Sequence, residues 1–177
     1  MWSYIYDNYY NDYDWFHIGG DDLYLIVENL RLYLESDEIK LAANGGEFFP
    51  YGNETKQLPL FLGRRFMEQG NDQRIFNSGG SGYTMNKAAL KGLVAYAFPK
   101  CMPHLHTFAE DVMVAQCFRN HLNVFPYDTK DENGGERYMP FAVSILSIYW
   151  KLDSKSIQRI KLTRNLFFFP ACTPLKL

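Results

Sequence analysis

The segment Trp15-Phe16-His17-Ile18-Gly19-Gly20-Asp21-Asp22-Leu23-Tyr24 constrains this chain more than any other. A short apolar, aromatic run stops at two glycines and two adjacent carboxylates. Leu23, Ile26, Val27, Leu30 and Leu34 then fall at helical spacing. The pattern predicts a strand over Trp15 to Ile18, a turn carrying Asp21 and Asp22, and a helix over Leu23 to Leu34. In α/β proteins ligands sit at the carboxyl ends of strands. Two acids there offer hard oxygen ligands, which suit Mg²⁺ or Mn²⁺ held against a phosphate-bearing substrate. The competing reading is local, with Asp22 as the N-cap of the helix that follows.

The chain has 177 residues, the size of one domain or a large piece of one. With 47% hydrophobic and 17% aromatic residues it can bury a sizeable core, and a net charge of -2 leaves no basic footprint for nucleic acid. The longest apolar stretches, Pro140 to Trp150 and Leu166 to Ala171, are too short or too interrupted to span a bilayer. No signal-peptide pattern follows Met1. Trp2 to Tyr13 reads as an amphipathic helix running straight into the first strand. The expectation is therefore a partial sequence whose amino-terminal half is missing.

The remaining pattern alternates strands and helices. Tyr4 to Tyr10 is expected as helix, Ser36 to Lys56 as a loop-rich surface insertion, Leu58 to Gly63 as a second strand and Arg64 to Phe76 as irregular chain. A glycine-rich turn at Asn77-Ser78-Gly79-Gly80-Ser81-Gly82-Tyr83 leads into a brief strand to Met85. Asn86 is the expected N-cap of a helix over Ala88 to Phe98, and Pro99 and Pro103 are expected to bracket a loop. Thr107-Phe108-Ala109-Glu110 has capping-box spacing and opens a helix to about Leu122. Asn123 to Pro126 is expected as strand, and Asp128 to Arg137 as a charged loop. The fold class is α/β, a mixed sheet flanked by helices.

Chemistry-bearing groups are few. Gly79, Gly80 and Gly82 allow close backbone approach to a ligand, though a tight inter-strand turn is the commoner use of such runs. No Gly-Lys-Ser/Thr follows, so the turn is not a phosphate loop. Glu110 fits the reciprocal capping position, which leaves Asp111 as the spare carboxylate and a plausible general base beside Phe108 and Val112. His17 reads as a satisfied core side chain, and His104 and His106 are too isolated for a metal site. No zinc spacing and no nucleophile elbow occur. Three cysteines leave the compartment open. Cys101 and Cys117 are either two reduced thiols or a bond pinning the loop that presents Glu110 and Asp111.

Taken in order, these motifs resemble one family. Trp15-Phe16, the run Asp21-Asp22-Leu23-Tyr24-Leu25-Ile26-Val27-Glu28-Asn29-Leu30-Arg31, and Phe61-Leu62-Gly63-Arg64-Arg65-Phe66 are similar to core 1 β1,3-galactosyltransferases of glycosyltransferase family 31. So are Ser78-Gly79-Gly80-Ser81-Gly82-Tyr83 and the set Cys101, Glu110-Asp111, Cys117. The resemblance covers roughly Trp2 to Phe141, and Arg64-Arg65-Phe66 favours the core 1 branch over the Fringe type. It implies the carboxyl-terminal portion of a GT-A fold over 1–141, an inverting mechanism, UDP-galactose as donor, Mn²⁺ as metal and a GalNAc-bearing glycoprotein as acceptor. It also implies the lumenal domain of a type II Golgi or ER membrane protein, its anchor outside this chain, and it is compatible with a homodimer.

Residue by residue, the resemblance implies Asp111 as catalytic base and Asp21 and Asp22 at the metal, with Asp22 the direct ligand. Gly79, Gly80, Gly82, Tyr83 and Glu110 are the substrate-binding candidates. In a secretory protein the Cys101–Cys117 pair is expected as a disulfide.

Two positions depart from the family pattern. Gly20 stands where its first acid would be, and Met139, in Tyr138-Met139-Pro140-Phe141, stands where its metal-ligating histidine would be. A thioether is a poor ligand for a hard cation. Residues 142–177 resemble nothing recognisable, and a misread exon boundary would explain them. The chain alone is expected to show little transferase activity. The alternatives are a Fringe-like N-acetylglucosaminyltransferase and a non-catalytic domain that binds a glycan or a partner.

Overall fold

A computed structural model describes residues 1–45, 57–101 and 109–140, and the backbone of 168–170. The sheet at its centre has four strands in the order β1-β6-β3-β7: β1 is Trp15–Ile18, β3 Phe61–Gly63, β6 Tyr83–Asn86 and β7 Tyr127–Asp128. β6 runs antiparallel to both β1 and β3, and β7 is parallel to β3. The sheet is therefore mixed, and β1, β3 and β7 all end at the same edge, where β6 begins.

Side chains alternate across this sheet. Phe16 and Phe61 both pair with Met85 and bury one face together with Trp2 of helix α1 (Trp2–Tyr9), with Leu90 and Leu93, and with Val114 and Phe118. Leu62 points the other way, into a second cluster with Leu30, Tyr33, Ile39 and Tyr138. Helices thus cover both faces, as the α/β reading expects. Among the described residues no helix is long and apolar enough to cross a membrane.

Several sequence expectations need correction. The helix expected over Leu23 to Leu34 is two elements, a strand β2 (Leu23–Leu25) and a helix α2 (Val27–Leu34) whose N-cap is Ile26. β2 pairs antiparallel with β8 (Phe168–Pro170), so a tertiary ladder takes residues whose spacing also suits a helix. Asp22 therefore caps nothing. The insertion begins with a helix α3 (Asp37–Ala43), capped by Ser36, whose hydroxyl accepts from the Ile39 amide at 3.4 Å. The rest of that insertion, 46–56, lies outside the described residues.

Arg64 to Phe76 is a hairpin rather than irregular chain, with β4 (Arg65–Glu68) and β5 (Asn71–Asn77) stacking Phe66 on Phe76. Gln69 and Gly70 close it with φ of 53° and 74°, the two positive values that a two-residue turn between twisted strands requires. The strand expected over Leu58 to Gly63 is confined to Phe61–Gly63. Asn86 holds the lead-in instead: its Oδ1 accepts from the Leu60 and Ala89 amides and its Nδ2 donates to the Leu58 carbonyl. One side chain thus caps helix α4 (Lys87–Lys91) and replaces part of a ladder.

α4 continues through a π-helical stretch at Gly92–Ala97 into α5 (Phe98–Cys101), so Pro99 sits in a first helical turn rather than a loop. Asn123, at φ 54°, is the left-handed C-cap of helix α6 (Glu110–Leu122), which is why no strand starts there and β7 begins at Tyr127.

Cys101 and Cys117 form a disulfide across a sequence separation of 16, tying the end of α5 to the middle of α6. Cys117 is buried in the first core cluster. Closing a loop of this size restricts the unfolded chain by about 3 kcal/mol. Replacing both cysteines by alanine should lower the urea midpoint accordingly, and an unchanged midpoint would contradict this account.

Candidate functional site

The shared edge of the sheet gathers most of the motifs singled out above. Tyr83, the first residue of β6, pairs with Ile18 at the end of β1 and with Gly63 at the end of β3. The glycine turn just before it therefore lies at the carboxyl ends of the parallel strands. Gly79–Ser81 form a single 3-10 turn, closed by the Gly82 amide donating to the Gly79 carbonyl at 3.0 Å. The Ser78 amide donates to the Arg64 carbonyl at 2.8 Å, tying the turn to the chain leaving β3.

Asp111 docks on this turn from the first turn of α6. Its Oδ2 accepts from the Gly79 amide at 2.8 Å and its Oδ1 accepts from the Val112 amide at 2.8 Å. A Cβ at Gly79 would lie 3.4 Å from Asp111 Oδ2, so the absence of a side chain there lets the carboxylate approach the backbone. Asp111 is only half-buried.

Glu110 faces the other way. Its Oε1 accepts from the Tyr83 hydroxyl at 2.6 Å and from the Trp2 indole N–H at 3.2 Å, and Trp2 also lies 3.2 Å from the Tyr83 oxygen. Trp2 and Tyr83 are buried. The beginning of α6 is thereby held to α1 and to the centre of the sheet, and Asp111 follows directly. This side chain is not the reciprocal partner of a capping box. The N-cap of α6 is Ala109, which makes no side-chain cap bond, and Thr107 lies outside the described residues, as do His104 and His106. Desolvation, and then the neighbouring Glu110 carboxylate, drive the Tyr83 phenol far above its ordinary range, so it stays protonated and donating.

Asp21 and Asp22 follow β1 at the same edge, on an exposed turn closed by the Leu23 amide donating to the Gly20 carbonyl at 3.2 Å. A Cβ at Gly20 would fall 2.6 Å from Asp22 Oδ1, so the Asp22 carboxylate folds back over the position that an acid would take. Met139 is buried, and the adjoining Pro140 carbonyl lies 3.7 Å from where a Gly80 Cβ would be. Among the described residues no group of three or more His, Cys, Asp or Glu is placed to hold a metal ion. At the turn after β1, Asp21 and Asp22 supply carboxylates, and Gly20 and Met139 add no hard donor.

Sequence reasoning missed the ion pairs at this edge. Arg64 pairs with buried Glu136, Arg65 pairs with Asp128 at the end of β7, and Lys130 reaches Glu136 at 3.5 Å. The Thr129 hydroxyl donates to the Gly63 carbonyl at 3.0 Å. These contacts fix the Asp128 to Arg137 loop against the ends of β3 and β7. The signal was the excess of charge in that loop beside Arg64 and Arg65, which spacing alone does not pair.

His17 lies behind the turn. Its Nδ1 is 3.0 Å from Thr84 Oγ1, which also accepts from the Tyr138 hydroxyl at 2.9 Å. Burial lowers its pKa from 6.5 to about 4, so the folded protein keeps it neutral. The unfolded chain binds the proton first as pH falls. Stability is therefore unaffected above pH 6.5 and declines as pH drops from 6.5 to about 4, by about 3 kcal/mol in all. Urea titrations at neutral and acid pH should show this decline in the natural protein and a shallower one in His17→Gln. Equal pH slopes would refute it.

No family model matches the chain. Over 141 residues, 78% of the chain, it is 29% identical to glycoprotein-N-acetylgalactosamine 3-beta-galactosyltransferase 1 of Xenopus laevis. The chain is similar to glycosyltransferases. Over 123 residues it is also 29% identical to chondroitin sulfate synthase 3 of Mus musculus and of Homo sapiens. The matches span 32% of the first relative's length and 12% of the length of each of the other two. At this coarse level the similarities support glycosyl transfer, in keeping with a β1,3-glycosyltransferase family.

Proposed function

We propose that this protein is an inverting β1,3-glycosyltransferase that moves galactose from UDP-galactose to the 3-hydroxyl of GalNAc on Ser or Thr of a glycoprotein. One observation carries the reading: the Asp111 carboxylate, anchored by the Gly79 and Val112 amides, stands beside a glycine-rich turn at the carboxyl edge of the sheet. Two fixed N–H donors hold the carboxylate in place while a free lone pair takes a proton. The acceptor oxygen, losing its proton to Asp111, attacks the anomeric carbon from the face opposite UDP. The bond to the UDP oxygen breaks as the new glycosidic bond forms, and the configuration inverts in one displacement.

Gly79, Gly80 and Gly82 let a sugar ring approach the backbone. Glu110 acts in this reading by holding the first turn of α6, since its Oε1 is already engaged by Tyr83 and Trp2. The Cys101–Cys117 bond and the similarity to transferases that act on glycoprotein and chondroitin sulfate support a lumenal, Golgi location.

Gly20 and buried Met139 favour a second reading, a glycan-binding domain without catalysis, because binding needs no metal. Calorimetry with UDP, with and without Mn²⁺, separates the two when run beside a radiolabelled transfer assay on a GalNAc-bearing glycopeptide. Metal-dependent UDP binding with transfer supports the enzyme. Glycopeptide binding with neither UDP affinity nor transfer establishes the second reading and rejects the first.

A further inference from the structure

Residues 4–13 hold five tyrosines, Tyr4, Tyr6, Tyr9, Tyr10 and Tyr13, among Asp7, Asp12 and Asp14, and no lysine or arginine occurs before Arg31. The structure separates these tyrosines. Tyr6 and Tyr10 pack against the first core cluster, and Tyr10 also carries the Lys87 ammonium 5.1 Å above its ring. Tyr4 and Tyr9 lie within α1, with no acid adjacent in sequence. Tyr13 differs on each count. It lies outside the helix, between the turn that ends α1 and the first residue of β1, its side chain is 57% exposed, and exposed carboxylates flank it on both sides. Its ring rests only at the edge of the tyrosine cluster, 6.4 Å from that of Tyr9.

We propose that Tyr13 is a site of tyrosine O-sulfation. A modifying enzyme must lift the phenol into its own active site, which a short non-helical segment permits and a helical or packed tyrosine resists. Asp12 and Asp14 supply the negative flanks that a basic substrate groove recognises by charge complementarity, and the neighbouring Lys87 ammonium is drawn to the Tyr10 ring. The Cys101–Cys117 disulfide belongs to an oxidising compartment, where sulfuryl transfer to tyrosine takes place.

The donor is an adenosine nucleotide bearing a phosphosulfate anhydride. The Tyr13 oxygen attacks sulfur, an S–O bond forms, and the S–O bond to the nucleotide phosphate breaks. The phenolic proton passes to the modifying enzyme's base, the nucleotide leaves as its phosphate, and nothing is oxidised or reduced. The product carries a fixed negative charge between two exposed carboxylates.

The proposal rests on the lumenal location proposed above and is independent of catalysis by this chain. The test gives the protein a cleavable signal sequence and secretes it from animal cells fed radioactive sulfate. Lumenal passage is thereby imposed, so a failure here indicts the site and not the location. Location itself is read separately, by microscopy of the natural protein. Peptide mapping should find tyrosine sulfate at Tyr13, resistant to phosphatase, absent from Tyr13→Phe and reduced several-fold in the Asp12→Asn, Asp14→Asn double variant. The proposal is overturned by an unlabelled Tyr13 peptide in the secreted natural chain, by label confined to other tyrosines, or by phosphate in place of sulfate. The map of the natural chain decides the matter even where a variant is poorly secreted.

Discussion

Gly82→Ala should destabilise the protein by about 3–5 kcal/mol, a large fraction of the stability of an ordinary domain. Two independent strains combine. Gly82 adopts φ 65° and ψ 165°, a region that only glycine enters without strain. A Cβ there would also stand 2.6 Å from the His17 ring and 2.7 Å from the Ile18 carbonyl oxygen. The Ile18 carbonyl belongs to β1, which cannot move without breaking its pairing with β6. The measurement is an unfolding titration of the variant, read beside Gly70→Ala. Gly70 also has positive φ, at 74°, but nothing lies within 4 Å of its added carbon. If the two substitutions cost the same, the close approach at Gly82 carries no weight and only the backbone conformation matters.

Asp111→Asn should lower kcat for transfer by roughly two to four orders of magnitude while leaving the fold intact. An amide oxygen can still accept from the Gly79 N–H, so the docking of α6 on the glycine turn survives, while the amide nitrogen cannot accept from the Val112 N–H, which loses that local bond. What the amide cannot do is take a proton from the acceptor hydroxyl. Asp111→Ala serves as the structural control. It removes the acceptor for a half-buried N–H and should destabilise by about 1–3 kcal/mol as well as abolishing turnover. Radiolabelled UDP-galactose reads slow transfer in the natural protein and both variants. Unchanged kcat in Asp111→Asn, with glycopeptide binding retained, would remove Asp111 from the reaction.

Elements that carry their own local signal were legible before any coordinates. β1 at Trp15–Ile18 is a short aromatic run ended by glycines, and the cap at Asn86 needs only its own side chain and the amide of Ala89. Elements that depend on a distant partner were not. Leu23 with Ile26 and Val27 fits a helical spacing and Leu23 with Leu25 a strand alternation, and the ladder to 168–170 decides between them. The sequence of the hairpin at Arg65–Asn77 reads as irregular chain because Gln69-Gly70 is a weak turn signal. Its stability comes from cross-strand contacts such as Phe66 with Phe76.

The candidate site divides along the same line. Glu110-Asp111 and the glycine run stood out as motifs, yet spacing along α6 assigned Glu110 to a capping role that the structure gives it no part in. Its partners, Trp2 and Tyr83, lie 108 and 27 residues away. Arg64 and Glu136 likewise meet only because β3 and β7 run side by side.

By itself the sequence determined the class of the fold, the glycine turn before β6, and which residue types were free to do chemistry, since all of these follow from local conformational preference and from the period of apolar residues. Only the tertiary structure decided that Asp111 faces a glycine turn while its neighbour Glu110 is drawn into the core. The choice between two adjacent carboxylates depends on which donors the folded chain brings to each, and those donors come from strands and helices far along the sequence.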